Sequence, residues 1–266
     1  MKLHIMTVAS LRALVLWRQN VACIPDASFT IVSYDRSCEQ WRTFTQLALR
    51  VQCIDTTLSV KGFHPKGVFQ CAHFENVSNG TDLLALADED IDFCSFDWND
   101  FQRKWLRMRP VVSQPTIISK RGRQVYWPFN HNTWDDVPPT SLMRINLVEQ
   151  QIPFMDARFA RHFWSEIGCT VAKWQDAVSG GWGLDMLWCA AARQWAPARQ
   201  PCAVVVTPIG HRNMHTIAKH SAYIRSSAML MKRANTEYPH LFLTKAQRSM
   251  YTGRVNRSLI LENRVL

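Results

Sequence analysis

Five consecutive apolar residues, Leu83-Leu84-Ala85-Leu86-Ala87, run without a break into Asp88-Glu89-Asp90. The run reads as an apolar sheet strand, and it delivers its carboxylates to the strand's carboxyl end, the position where open α/β folds bind ligands. Three like charges side by side repel one another unless a cation or hydrogen-bond donors compensate them. Hard divalent ions such as Mg²⁺ or Mn²⁺ take a carboxylate or two together with substrate phosphates. Asp88-x-Asp90 therefore points to a metal that holds a diphosphate, with a solvated acidic turn as the alternative.

The rest of the chain has the rhythm of an α/β domain, in which short apolar runs rich in β-branched residues alternate with helical patterns. Strands are expected over Leu3 to Val8, Phe29 to Ser33, Leu47 to Ile54, Leu83 to Ala87 and Ala203 to Thr207. Helices are expected over Leu11 to Asn20, Lys66 to Phe74, Trp98 to Arg107, Ala157 to Val178 with a break near Gly168, and Asp185 to Gln194. Lys120 to Pro139 reads as a long loop, the kind of segment that carries substrate contacts.

Two further segments carry chemistry. In Ser179-Gly180-Gly181-Trp182-Gly183-Leu184-Asp185, the glycines let the backbone approach a ligand closely, and Trp182 offers a flat face for a sugar or base. Asp185 then stands in the first turn of a helix, either as a cap or as a general base at a pocket floor. In Val204-Val205-Val206-Thr207-Pro208-Ile209-Gly210-His211, a histidine after a late strand can complete a metal shell, and His215 is a second candidate.

Composition places limits on the partners. The net charge is +10, and the segment from His211 to Leu266 holds ten Lys or Arg against Glu237 and Glu262, so the body is close to neutral. A basic tail of this kind is a solvated face, a polyanion contact or a surface for anionic lipids. The eight cysteines contain no Cys-x-x-Cys pair, which argues against structural zinc and reads as the scattered thiols of a reducing compartment. Arg12 and Arg18 interrupt the apolar start, and no stretch reaches the length of a bilayer span, so a soluble, cytoplasmic protein is expected. The sequons at Asn76, Asn79 and Asn256 matter only in a secreted protein. A zinc deaminase, suggested by His73-Phe74-Glu75 and Pro201-Cys202, fails for want of a second cysteine three residues on. A metal-dependent nuclease has no need of the Gly-Trp-Gly turn.

Taken in order, Phe29-Thr30-Ile31-Val32-Ser33-Tyr34-Asp35 with Trp41, Val60-Lys61-Gly62-Phe63, Asp88-Glu89-Asp90, Ser113-Gln114-Pro115 and Gly181-Trp182-Gly183-Leu184-Asp185 resemble the lysine-ketoglutarate-reductase trans-splicing-related family. That family belongs with glycosyltransferases of the GT-A fold. The similarity runs from about Phe29 to His215, 187 of the 266 residues. It implies a single GT-A-like α/β domain over residues 1–215, with a mostly parallel central sheet flanked by helices; the tail over residues 216–266 falls outside the resemblance and reads by its own pattern as a basic helical extension. It also implies a metal-dependent hexosyltransferase using a nucleotide-sugar donor, with UDP and Mn²⁺ (or Mg²⁺) as the expected pair. Tyr34, Asp35, Lys61, Asp88 and Glu89 are then donor contacts, Asp90, Asp88 and His211 metal ligands, Trp182 and Gly183 acceptor contacts, and Asp185 the catalytic carboxylate. The family usually has an acid where this chain has Thr207. The basic tail, with Trp127 and Trp134 as stacking surfaces, favours a hydroxymethylated DNA base as acceptor, by kinship with base-modifying DNA glucosyltransferases. A glycan or small-molecule acceptor, and a catalytically inactive nucleic-acid-binding relative, are the alternatives.

Overall fold

The structure, a computed structural model, describes residues 1–44, 50–56, 66–77, 80–119, 142–174, 184–212, 229–230, 232–241 and 261–265. Its first half is built on a parallel rule. Strands Leu3–Ala9 (β1), Ser28–Ser33 (β2), Val51–Asp55 (β3) and Leu83–Ala87 (β4) lie in the order β3-β2-β1-β4, all parallel. The crossovers carry the helices Leu14–Cys23 (α1), Cys38–Phe44 (α2) and Lys66–His73 (α3). Every residue of β4 is buried, as its uninterrupted apolar run requires in a sheet covered on both faces.

The second half is mixed. After Ile91–Asp92 (β5) and the helix Trp98–Met108 (α4) come Val112–Ser119 (β6), Leu142–Ile145 (β7) and Phe154–Asp156 (β8). The helical stretch Ala157–Phe163 (α5) and Cys169–Lys173 (α6), then Asp185–Trp195 (α7), Cys202–His211 (β9) and Leu261–Val265 (β10), complete the fold. The sheet continues from β4 as β8-β6-β9-β7-β10, with β5 against β9. Here only β6 and β9 pair in parallel, and the remaining pairs are antiparallel. Of these, β5, β6, β7, β8 and β10 lie outside the strands expected from the sequence, and β10 falls within the extension expected to be helical. Pro115 argues against a strand within β6, because proline cannot donate to a ladder. The fold accommodates it with a bulge. Pro115 pairs with Val205 but Thr116 with Pro208, which leaves Val206 and Thr207 as extra residues in β9. The Lys104 ammonium on α4 donates to the Val206 carbonyl at 2.6 Å.

Two expectations change form. No break separates α5 from α6: Trp164–Gly168 forms a π-helical turn that carries the helix through. A side chain at Gly168 would place its Cβ 2.6 Å from Trp164 and 2.7 Å from Phe163, so the turn requires glycine there. The cysteines are not scattered thiols. They form four disulfides, Cys23–Cys94, Cys38–Cys53, Cys71–Cys169 and Cys189–Cys202, with Cα separations of 5.1 to 5.5 Å. Each ties a helix to a strand, a helix or a turn distant in sequence, and spacing alone could not reveal the pairs.

The described part of the tail lies on the body. Leu230, Ala234 and Leu241 are buried, the Arg233 guanidinium stands 4.3 Å from the Trp174 ring centre, and β10 pairs antiparallel with β7. No helix among the described residues is long and apolar enough to cross a membrane.

Candidate functional site

β4 ends at Ala87, and the acids after it are held in a tight turn. The Ile91 amide donates to the Asp88 carbonyl at 3.3 Å, and β5 then pairs Ile91 with His211 of β9. That pairing places residues distant in sequence side by side. Asp90 and His211 face each other, with His211 Nε2 3.2 Å from Asp90 Oδ1, and the Arg212 amide donates to the Asp90 carbonyl at 2.9 Å. Gly210 makes the approach possible: a Cβ there would lie 2.8 Å from Ser95 Oγ and 3.1 Å from the Asp92 Cβ.

Asp88, Asp90 and His211 offer ligand atoms that all lie within 4.8 Å of one another. Two carboxylates and an imidazole suit Mn²⁺ or Mg²⁺ with open positions left for phosphate oxygens. Asp90 Oδ1 is buried and receives no well-directed hydrogen bond, despite its short distance to the histidine, so the residues present fit a shared cation. Burial alone would lower the pKa of His211. The Asp90 carboxylate close beside the ring, with the charges of Asp88 and Glu149, outweighs it and raises the value. Burial raises the Asp88 carboxyl, and Lys66 offsets part of that effect.

Lys66 was not foreseen as a site residue. It opens α3, where a cation opposes the helix dipole, and that misfit is the one sequence sign that it has a partner elsewhere. Its ammonium donates to Asp88 Oδ1 at 2.6 Å, to the Gln150 carbonyl at 2.8 Å and to the Leu86 carbonyl at 3.3 Å. Lys61, the expected donor lysine, lies outside the described residues, as do Trp182, Gly183, Trp127, Trp134 and His215.

Glu89 turns the other way, toward the ends of β1 and β2. Its Oε2 accepts from the Ser10 amide at 2.9 Å and the Ser10 hydroxyl at 3.2 Å, and the Tyr34 hydroxyl donates to Oε1 at 3.3 Å. Burial raises the pKa of both Glu89 and Tyr34. Asp35 accepts from the Leu11 amide at 2.8 Å, from Ser33 Oγ at 3.0 Å and from Ser37 Oγ at 2.5 Å. Burial pushes its carboxyl up, but these bonds, Ser37 foremost, hold it below its ordinary value. Tyr34, Asp35, Glu89 and Ser10 thus gather at the carboxyl ends of three parallel strands.

Asp185 is the first residue of α7 and half-buried. Glu149, in the turn before β8, lies within electrostatic reach of Asp185, Asp88 and His211. Burial, then the charges of Asp185 and Asp88, push its carboxyl up to about 8. Sequence reading missed it; the available sign was a lone acid inside Leu147-Val148-Glu149-Gln150-Gln151-Ile152.

No protein-family model matches the chain, and no curated protein does. Solved structures do. S. aureus TarS 1-349 in complex with UDP-GlcNAc matches over 97% of this chain and 77% of its own, at TM-score 0.56 and 7% identity. The longer S. aureus TarS matches at TM-score 0.62 and 10% identity, with 97% of this chain covering 44% of that one. GalNAc-T7 with UDP, GalNAc and Mn²⁺ matches at TM-score 0.53 and 9% identity, over 87% of this chain and 48% of its own. At these identities the likeness is one of fold, and the fold is the expected GT-A-like α/β arrangement: a curled central sheet flanked by helices.

Proposed function

We propose that the chain transfers a sugar from a nucleotide-sugar donor, with UDP as the expected nucleotide, to an acceptor hydroxyl. The observation that carries this reading is the convergence of Asp88, Asp90 and His211 at the carboxyl end of a buried parallel strand. Asp88, Asp90 and His211 would hold Mn²⁺ or Mg²⁺, which would supply positive charge where the nucleoside diphosphate departs. Tyr34 and Asp35, after β2, and Glu89, after β4, bind base and ribose. Asp185 takes the proton of the acceptor hydroxyl as it attacks the anomeric carbon, and acceptor binding is assigned to Trp182 and Gly183 by the resemblance alone. The resemblance to the trans-splicing-related family, and the presence of UDP and Mn²⁺ with the neighbours of like fold, support this assignment.

For the acceptor, the four disulfides favour a glycan or small molecule over a DNA base. Disulfides form and persist in oxidising compartments, which weighs against the cytoplasm. Thiol titration of the denatured, unreduced protein is expected to find no free thiol; eight would restore the cytoplasmic reading and with it the hydroxymethylated-DNA acceptor.

Release of nucleotide from a panel of nucleotide sugars, measured with Mn²⁺ in wild type and Asp90→Ala, tests the transferase itself. Metal-dependent turnover that Asp90→Ala abolishes supports the reading. Adding oligosaccharides or DNA containing 5-hydroxymethyl pyrimidines then separates the acceptors. A chain that binds DNA but no donor is the inactive relative.

A further inference from the structure

Three buried polar atoms beside the metal-binding cluster have no hydrogen-bond partner among the described residues: Glu149 Oε2, Gln151 Oε1 and Gln114 Nε2. They belong to one small assembly. Gln114 on β6 is fully buried, and its Oε1 accepts from the Glu149 amide at 2.7 Å, which anchors the Gln114 carboxamide against the Glu149 backbone. The same short turn is bonded to the site, since the Gln150 carbonyl accepts from Lys66 at 2.8 Å and the Gln151 carbonyl from the Asp88 amide at 2.9 Å.

Folded proteins leave few buried polar atoms unpaired, because each costs about 1–3 kcal/mol. Other such atoms occur among the described residues, both side-chain ends of Gln70 for example, and these three are set apart by lying around the one turn that bonds Lys66 and Asp88, where a polar ligand can complete the bonding. Their chemistry narrows the ligand. An amide N–H donates, an amide oxygen accepts, and a carboxyl oxygen bonds a hydroxyl in either protonation state. A diphosphate offers acceptors only and would meet Glu149 together with two more carboxylates. Neutral hydroxyl groups, which donate and accept, match the set. Position narrows it further, for Glu149 lies within electrostatic reach of both Asp88, on the diphosphate side, and Asp185, on the acceptor side.

We infer that Glu149, Gln114 and Gln151 form the subsite that recognises the hydroxyls of the transferred sugar, and so select the donor; this rests on the transferase reading above. The test is calorimetric binding, with Mn²⁺ and without acceptor, of UDP, GDP and ADP, their glucose conjugates and UDP-N-acetylglucosamine. Wild type, Glu149→Gln and Gln151→Leu are compared, with thermal melts confirming that each variant folds. Wild type is expected to bind its preferred nucleotide sugar more tightly than the bare diphosphate. Each variant is expected to keep its diphosphate affinity within about twofold and to lose about tenfold for the conjugate, the worth of one or two hydrogen bonds. Unchanged affinity for the conjugates, or an equal loss for diphosphate and conjugate, would overturn the subsite. Failure of the wild-type chain to bind any of these ligands is a different outcome: it removes the transferase reading, and the subsite falls with it.

Discussion

Two lysine–carboxylate pairs brace the sheet at nearly the same distance, and they end in opposite states. Lys104 Nζ lies 2.5 Å from Asp100 Oδ2, and Lys66 Nζ lies 2.6 Å from Asp88 Oδ1. Around Asp100 every need is met: the Thr207 hydroxyl donates to it at 2.7 Å and Arg103 at 2.6 Å, while Lys104 also caps the Val206 carbonyl of the bulge. Burial pushes the Asp100 carboxyl up, but the bonds from Lys104, Thr207 and Arg103 hold it below its ordinary value. Asp88 has one cation against burial and a second acid, Asp90, and its carboxyl is raised. A closed network of this kind stabilises the fold, whereas an acid left in excess is poised for something not yet bound. Ion-pair geometry alone does not tell the two apart; the count of compensating partners does.

The largest effect is expected from Lys104→Met. It leaves the buried bulge carbonyl without its donor and Asp100 with only Thr207 and Arg103, and denaturant unfolding should show a loss of about 3 kcal/mol. Lys66→Met is expected to cost less, because burial already inclines the Asp88 carboxyl to take a proton and less charge is left uncompensated. Equal losses would erase the distinction between the two pairs. Low pH sharpens it. The Asp100 carboxyl is depressed in the fold, so its stabilising share is present above its unfolded value of 3.8 and is lost as pH falls through the folded value.

Next in size, Asp90→Ala should weaken Mn²⁺ binding by on the order of a hundredfold, at or beyond the upper end of what outer-shell losses cost. Calorimetry with the metal alone measures this without any assumption about donor or acceptor. Asp100→Asn, in the closed network, is expected to leave Mn²⁺ affinity within about twofold. A large loss there would show that the closed network also belongs to the site.

How much of this was legible before the structure depends on which half is considered. β4 appeared with its observed ends because an unbroken apolar run bounded by acids leaves little choice. The first residue of α7 at Asp185 was equally clear from the glycine turn before it. The pairing of the acid turn with His211 depends instead on β5, a two-residue strand with no periodicity to detect. β6 hid behind Pro115, whose lost hydrogen bond is absorbed by a bulge contributed by another strand. Glu149 and Lys66 matter through partners distant in sequence, and local pattern shows only that each is out of place, not which group it meets.

A smaller effect, with a sign that can be worked out, concerns Glu149. Its carboxyl moves from an ordinary value of 4.5 to about 8 in the fold. Stability from this group is therefore full below about pH 4.5 and is lost as pH rises through about 8. Glu149→Gln should melt with wild type near pH 4 and above it near pH 9, by roughly 1–3 kcal/mol. A variant that gains stability while losing donor selectivity would carry the usual mark of a functional acid.

The smallest effect concerns Thr207, one of the two bulged residues of β9. Its hydroxyl is committed to Asp100 at 2.7 Å and lies 3.4 Å from Lys104, so in this chain the position serves the bulge, and His211, four residues later, stands with the acids. Thr207→Val keeps the shape and removes one bond to a carboxylate that retains Lys104 and Arg103, so a loss of about 1.5 kcal/mol is expected. Mn²⁺ affinity should stay within about twofold of wild type, since Asp88, Asp90 and His211 are untouched. Thr207→Asp turns the same position into a direct contest between the two networks. A second carboxylate beside Asp100 repels it and should destabilise the fold more than Thr207→Val does. If Thr207→Asp instead tightened Mn²⁺ binding, the bulge and the metal site would be one network, and the contrast between the two lysine–carboxylate pairs would have to be redrawn around β9.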